Sequence, residues 1–162
     1  MTRLVILFMV ALVFAAAGCS GNEGGNTMQK DAAAEYNMVI VTADGPVYYN
    51  VEDAVTPQER SEGLMFRETL AADSGMFFDM SDSIDGKFYM WMENTKIPLD
   101  MLFLNETGEI VHIHENAAPM SRTVIESPVP SYYVVEVNAG DVEMHGIKIG
   151  DQVRHLLLDG LD

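Results

Sequence analysis

Four side chains near the middle of the chain could together bind a small polar molecule. They are Trp91, Asn94, Thr95 and Asp100. The indole ring offers a flat stacking face, while the amide and the carboxylate can orient hydroxyl or amine groups of a ligand. We therefore predict a ligand-binding cleft near Trp91 and Asp100. A purely structural alternative remains open, in which Asp100 caps the turn at Asn94-Thr95 and Trp91 fills the core.

Two arginines extend this candidate site. Arg60 and Arg67 flank the end of a predicted helix, and Arg67 in particular could hold a carboxylate or phosphate of a ligand. Alternatively, an arginine pairs with a carboxylate such as Glu136, which lies between two valines of a predicted strand. Such a pair would let an apolar strand tolerate a charge.

A second hypothesis is an extracytoplasmic copper site. His112 and His114 lie two residues apart and therefore share one face of a predicted strand, where two imidazoles could bind one metal ion. The thioethers of Met90 and Met92 suit Cu(I). The alternative is that the histidines form a solvent-facing strand surface and the methionines fill the core.

Catalytic motifs offer little support for an enzyme. The sequence contains no Gly-x-Ser-x-Gly elbow, His-Glu-x-x-His helix or phosphate-binding loop. Asp100 and Glu136 could form the carboxylate pair of a hydrolase, but two candidates are expected by chance among 25 acidic residues. The sequence thus favours a binding protein, requires no cofactor, and leaves an unrecognised hydrolase as an alternative.

The elements that must position these residues are mostly strands. Eight strands are predicted, and a Thr56-Pro57 start followed by Glu59 predicts a short helix that ends at Gly63. A second helical turn is predicted at 141–145. The strands are expected at 38–43, 47–55, 75–78, 88–92, 99–104, 109–114, 132–138 and 152–158. This pattern predicts a mainly β fold, either an antiparallel β-sandwich or a partly closed barrel.

The N-terminal segment is typical of a bacterial lipoprotein. A basic start and 14 apolar residues, Leu4 to Ala17, precede Gly18 and the only cysteine, Cys19. This predicts a signal peptide over 1–18, lipidation of Cys19, a flexible Gly/Asn-rich tether over 19–35 and one β domain over 36–162. The membrane is then a partner through the anchor, and the domain faces the periplasm or the cell exterior. Ser20 favours the outer membrane in a Gram-negative host.

Composition limits the remaining function classes. With 162 residues and 48% apolar residues the chain can form one ordinary domain. The net charge of −16 repels phosphates, so nucleic acid is not an expected partner. A small molecule or another protein remains as the expected partner.

Three ordered segments resemble one bacterial and archaeal family, the domain-of-unknown-function 192 family. They are Thr56 to Arg67 followed by Gly75-Met76-Phe77-Phe78, Phe88 to Phe103, and Val135 to Gly140 continuing from His145 to Val153. One departure is Glu93, which stands where the family usually has lysine. The resemblance implies a compact β-sandwich-like domain that is often secreted or attached to a membrane. It implies no activity and no catalytic residue.

Overall fold

A computed structural model describes residues 36–159 of the chain. The predicted signal peptide, the lipidated Cys19 and the tether lie outside the described residues, as do the last three residues of the predicted domain. Within residues 36–159 no helix has the length and apolar character that crossing a membrane requires.

The described part of the chain is mainly β, as predicted. It contains three short helices and a single 3-10 turn at Ile84–Gly86. The helices are α1 (Pro57–Glu62), α2 (Asp141–His145) and α3 (Leu156–Asp159). The strands are β1 (Met38–Thr42), β2 (Gly45–Ala54), β3 (Ser74–Asp79), β4 (Leu99–Leu104), β5 (Ile110–Ala117), β6 (Tyr133–Asn138) and β7 (Gln152–His155).

These seven strands form one sheet in the order β5-β4-β6-β3-β2-β1-β7. The sheet curls into a half-barrel, and a bridge between Glu109 and Gln152 joins its two ends. All neighbouring strands are antiparallel except β2 and β3, which are parallel. The all-antiparallel expectation is therefore wrong at this pair, where α1 lies in the crossover that a parallel connection requires.

Two of the predicted strands differ from the structure. Residues 88–92 form no strand and make only one bridge, between Met90 and Ile125. Side chains of this segment nevertheless alternate in burial: Met90 and Met92 are buried whereas Tyr89 and Trp91 are exposed. The predicted last strand ends at His155, and α3 follows it directly.

Helix α1 begins as its sequence predicts. The Thr56 side chain accepts a hydrogen bond from the Glu59 backbone N–H at 3.3 Å, and the Glu59 carboxylate accepts one from the Thr56 backbone N–H at 2.9 Å. This reciprocal capping box satisfies two backbone donors that the first turn leaves unpaired. Gly63 follows the helix with a positive φ of 48°.

The three central strands are buried on both faces. Residues of β3, β4 and β6 alternate between two apolar clusters, one on each face of the sheet. The first cluster includes Phe77, Leu102 and Val135. The second includes Phe78, Met101 and Val134, and the segments that follow α1 and precede β4 cover it with side chains such as Leu64, Met90 and Met92.

Asp100 ties three parts of this fold together from the face of the first cluster. It is fully buried, and its Oδ1 accepts a hydrogen bond from the Asn116 backbone N–H at 2.8 Å. Its Oδ2 accepts hydrogen bonds from the backbone N–H groups of Gly140 at 2.9 Å and Val142 at 3.1 Å. The carboxylate therefore connects β4 to the end of β5 and to the start of α2.

We expect Asp100→Asn to destabilise the domain by about 3 kcal/mol or more. An amide keeps one acceptor oxygen and turns a nitrogen donor towards N–H groups, so at least one buried donor loses its partner. Urea unfolding followed by circular dichroism measures this loss. Asp85→Asn, which removes an equal charge at an exposed position, serves as the control. A midpoint equal to that of the control would contradict the anchoring role.

Candidate functional site

A cavity of about 220 Å³ opens on the second face of the sheet, between β3, β6, α1 and the segment that precedes β4. Its apolar wall includes Leu64, Phe78 and Met90. Its polar lining residues are Arg60, Ser61, Glu62, Thr95 and Glu136. Because pockets for drug-sized ligands usually hold about 300–1,000 Å³, this cavity suits a small molecule or one end of a larger one.

Glu136 is the buried acidic group of this cavity. It lies on central strand β6 between Met76 of β3 and Met101 of β4, and only 4% of its surface is exposed. Within residues 36–159 its carboxyl group makes no hydrogen bond and no ion pair. Burial disfavours the charged form and raises the pKa of the Glu136 carboxyl to about 8.

Arg60 lies in the cavity wall but is already engaged. Its guanidinium makes two hydrogen bonds to the Asp82 carboxylate, at 2.9 and 2.7 Å, and donates to the Asp79 carbonyl oxygen. Such a fork satisfies most of the directional donors of an arginine. The expected pairing of an arginine with an acidic residue is therefore present, but its partner is Asp82 and not Glu136.

Two aromatic side chains lie at the opening of the cavity. Tyr89 is 60% exposed and Trp91 is 41% exposed, and both line the cavity. Their neighbours Met90 and Met92 point into the core. Trp91 thus does not fill the core, which was the alternative to a binding role, and its ring is accessible to a molecule entering from solvent.

The segments that cover the cavity are held in an uncommon backbone conformation. Phe66 and Asn94 both have positive φ angles, 66° and 58°, and the Phe66 backbone N–H donates to the Asn94 carbonyl oxygen at 2.8 Å. A bulky residue such as phenylalanine rarely adopts this conformation, which costs on the order of 1–3 kcal/mol. The surrounding contacts therefore fix the position of the cavity wall at Leu64 and Met65.

The structure brings together two of the five residues predicted to bind a ligand. Trp91 and Thr95 line the cavity. Asn94 belongs to the same loop and places its amide 3.9 Å from the Met65 sulfur, outside the cavity lining. Asp100 lies on the opposite face of the sheet with its oxygens occupied. The buried acidic residue that lines the cavity with Trp91 and Thr95 is thus Glu136.

Arg67, the fifth predicted residue, also lies outside the cavity lining. Its guanidinium forms a two-pronged ion pair with Glu52 of β2, in which Nη2 and Oε2 are 2.7 Å apart. Arg67 beside it lowers the pKa of the Glu52 carboxyl. The arginine thus connects the segment after α1 to the sheet.

His112 and His114 lie on β5, the edge strand next to β4. The His112 ring packs against Phe103 with a centroid separation of 5.4 Å, and burial, aided by the neighbouring His114, lowers the pKa of His112. In the part of the chain that the structure describes, no group of three or more His, Cys, Asp or Glu residues is arranged to hold a metal ion. The proposed copper site therefore gains no third ligand of these types here.

Sequence reasoning considered Glu136 but did not identify it as an unpaired group beside Trp91. The available signal was a glutamate among Tyr133, Val134, Val135 and Val137 on a strand. That pattern indicates that the carboxyl group is buried, yet it does not reveal which side chains lie around the carboxyl group.

The residues that form this site lie within a segment that known proteins share. The pattern of the DUF192 family, described as uncharacterized ACR, matches residues 39–155. The chain belongs to this family. The family resemblance expected from the sequence is thereby confirmed, and no curated protein matches the chain significantly.

Two solved structures have the same fold as this DUF192 member. A candidate transcription regulator from Sinorhizobium meliloti 1021 is 44% identical, with a TM-score of 0.69 over 73% of this chain and 91% of that one. A protein of unknown function from Novosphingobium aromaticivorans DSM 12444 is 33% identical, with a TM-score of 0.69 over 72% of this chain and 82% of that one. Neither description names a ligand.

We expect Glu136→Gln to stabilise the domain above neutral pH. The native carboxyl stays protonated up to about pH 8, whereas in the unfolded chain it ionises near its ordinary value. The native state therefore binds more protons in this window, and wild-type stability falls as pH rises through it. A permanently neutral amide avoids this loss, which is on the order of a few kcal/mol.

Thermal or urea unfolding of the wild type and the variant between about pH 5 and pH 9 measures the effect. The advantage of the variant should grow with pH and level off above about pH 8. Glu115→Gln, an exposed glutamate on β5, is the matched control. Parallel stability curves for Glu136→Gln and the wild type would contradict the burial of an unpaired carboxyl.

Proposed function

We propose that this DUF192 domain binds a small molecule that enters past Trp91 and Tyr89 and contacts Glu136. The observation that carries this proposal is a buried carboxyl group without a described partner at an open cavity. A carboxyl group that is largely withdrawn from water and has no protein partner loses part of its solvation free energy. A ligand that supplies the partner recovers that cost, and this favours binding at Glu136.

The contrast with Asp100 supports this proposal. Both carboxylates are almost completely buried on adjacent central strands, and Asp100 accepts three backbone hydrogen bonds. The fold therefore provides donors for a carboxylate where the role is structural. At Glu136 the corresponding space is a cavity, which suits a donor that comes from outside the chain.

The other functions considered gain less support. For copper binding, no third His, Cys, Asp or Glu joins His112 and His114 as a ligand within residues 36–159. Hydrolysis lacks an activating histidine among the residues that line the cavity. A regulatory role in transcription is a description of the Sinorhizobium meliloti protein. A net charge of −16 does not favour contact with DNA phosphates.

Binding can be measured with three probes of similar shape, namely benzylamine, benzyl alcohol and benzoate. Trp91 is the only tryptophan, so its fluorescence reports directly on the cavity opening. We expect at least one probe to shift its emission and to protect it from acrylamide. Isothermal titration calorimetry gives the affinity independently.

Two variants of α1 test where the probe binds. Ser61 is exposed and lines the cavity, whereas Gln58 is exposed on the same helix and does not line it. Ser61→Tyr should therefore block the opening and abolish binding, while Gln58→Tyr should bind as the wild type does. Equal binding by both variants would exclude this cavity, and the absence of any probe response would contradict the proposed function.

We also propose that the domain is anchored in the cell envelope through lipidated Cys19, facing the periplasm or the cell exterior, at the outer membrane in a Gram-negative host. The support is the sequence Ala16-Ala17-Gly18-Cys19 after an apolar segment. Lipid chains hold a protein at a membrane without a spanning helix. The Gly/Asn-rich segment after Cys19 would then separate the domain from the bilayer.

We expect Cys19→Ser to leave the full-length protein unprocessed or to release it from membranes, with the unfolding temperature of the domain unchanged. Membrane fractionation and intact-mass spectrometry of the mature wild-type protein measure the anchor. A mature chain that starts elsewhere than Cys19, or that carries no acyl mass, would show that the lipoprotein assignment is wrong.

A further inference from the structure

We propose that the ligand of this cavity is a protonated organic amine with a compact apolar body, an inference that rests on the proposed binding function. The ammonium group contacts the Glu136 carboxylate, and the apolar body packs between the aromatic opening and the methionine-rich wall. Three independent features of the cavity lead to this chemical class.

The charges that line the cavity favour a cation. Glu62 and Glu136 are acidic, and Arg60 is the basic residue among the described lining groups. The guanidinium of Arg60 already faces the Asp82 carboxylate, with 2.7 Å between Nη2 and Oδ2. An anionic ligand would therefore meet the acidic Glu62 at the cavity and no free counter-charge, and the net charge of the chain adds to that repulsion.

The opening of the cavity presents surfaces that attract cations. Trp91 and Tyr89 expose their rings to solvent beside the cavity. Aromatic ring faces attract ammonium groups within about 6 Å through the ring quadrupole. Beyond these rings the wall consists of Leu64, Phe78 and Met90, which suits an apolar body attached to the ammonium.

The strand positions on either side of Glu136 provide no hydrogen-bond donor, which also favours an amine. The flanking residues on β3 and β4 are Met76 and Met101, and neither side chain can donate a hydrogen bond. An ammonium group supplies three donors and a positive charge in one small group. A neutral alcohol supplies one donor and leaves the carboxylate without a counter-charge.

Ion pairing at Glu136 implies that amine binding releases a proton. The carboxyl gives up its proton to the solvent as the ammonium enters, and the amine keeps its own proton. The charged or titratable groups that line the cavity with Glu136 are Arg60 and Glu62 from α1 and Tyr89 from the opening. The paired strand positions beside Glu136 are methionines. The released proton comes from Glu136, because burial raises the pKa of its carboxyl to about 8.

The experiment compares benzylamine, benzyl alcohol and benzoate by isothermal titration calorimetry on the full chain, in two buffers of different ionisation enthalpy. We expect benzylamine to bind at least tenfold more tightly than benzyl alcohol, and benzoate to bind most weakly. Proton release should accompany benzylamine alone. Its affinity should rise by up to about tenfold per pH unit below about pH 8, because only the ionised carboxylate pairs with the cation.

Glu136→Gln should reduce benzylamine affinity at least tenfold and leave benzyl alcohol within about threefold of the wild type, while Glu115→Gln changes neither. Equal affinities for amine and alcohol, or a benzylamine affinity that Glu136→Gln does not alter, would overturn the amine assignment and leave the binding function in place. If benzoate is the one probe whose binding Ser61→Tyr abolishes, the cavity binds anions and the amine assignment is wrong. If none of the three probes binds, both proposals fall.

Discussion

The structure depends on the burial of β3, β4 and β6 on both faces of one curled sheet. Almost every residue on these strands is buried. The side chains on both faces of the sheet therefore need other residues to cover them. One face is closed by the curl of the sheet itself and by α2. The other face depends on loops and on the single short helix α1, and the cavity lies between these covering segments and the sheet.

The two faces of the buried strands each contain one buried carboxyl group, and the surroundings of the two groups differ. Asp100 and Glu136 lie on neighbouring strands, each next to an apolar partner of the other strand, Val137 and Met101. Because successive residues of a strand point to opposite faces, they belong to different faces of the sheet. One side provides three backbone donors for its carboxylate, and the other provides a cavity. A carboxylate therefore has a structural role on one face, whereas on the other face it borders a cavity.

The segments that cover the second face are linked to one another and to the sheet by specific contacts. Irregular segments with Phe66 and Asn94 in the left-handed region are joined by a backbone hydrogen bond, and Arg67 pairs with Glu52 at the sheet. Strained conformations persist when surrounding contacts hold them, and they often occur beside functional sites. In this domain they hold the wall of the cavity and leave Trp91 and Tyr89 exposed at its opening.

Local features of the fold could be predicted because their causes are local. The capping box of α1 needs only Thr56, Pro57 and Glu59 within four residues. The β4–β5 hairpin follows from two apolar runs around a turn that ends at Gly108. By contrast, the parallel pairing of β2 and β3 depends on how 19 residues between them cross over the sheet. The strand predicted at 88–92 is wrong, since that segment makes only one bridge, between Met90 and Ile125.

The sequence by itself determined the family, the mainly β class, the capping of α1 and the presence of charges at Asp100 and Glu136 in otherwise apolar strands. Only the tertiary structure decided what those charges do. The donors that reach Asp100 come from residues 16, 40 and 42 positions away, and the methionines beside Glu136 come from two other strands. Whether a buried carboxylate is paired depends on groups that are distant in sequence, because hydrogen bonds and desolvation act through space and not along the chain.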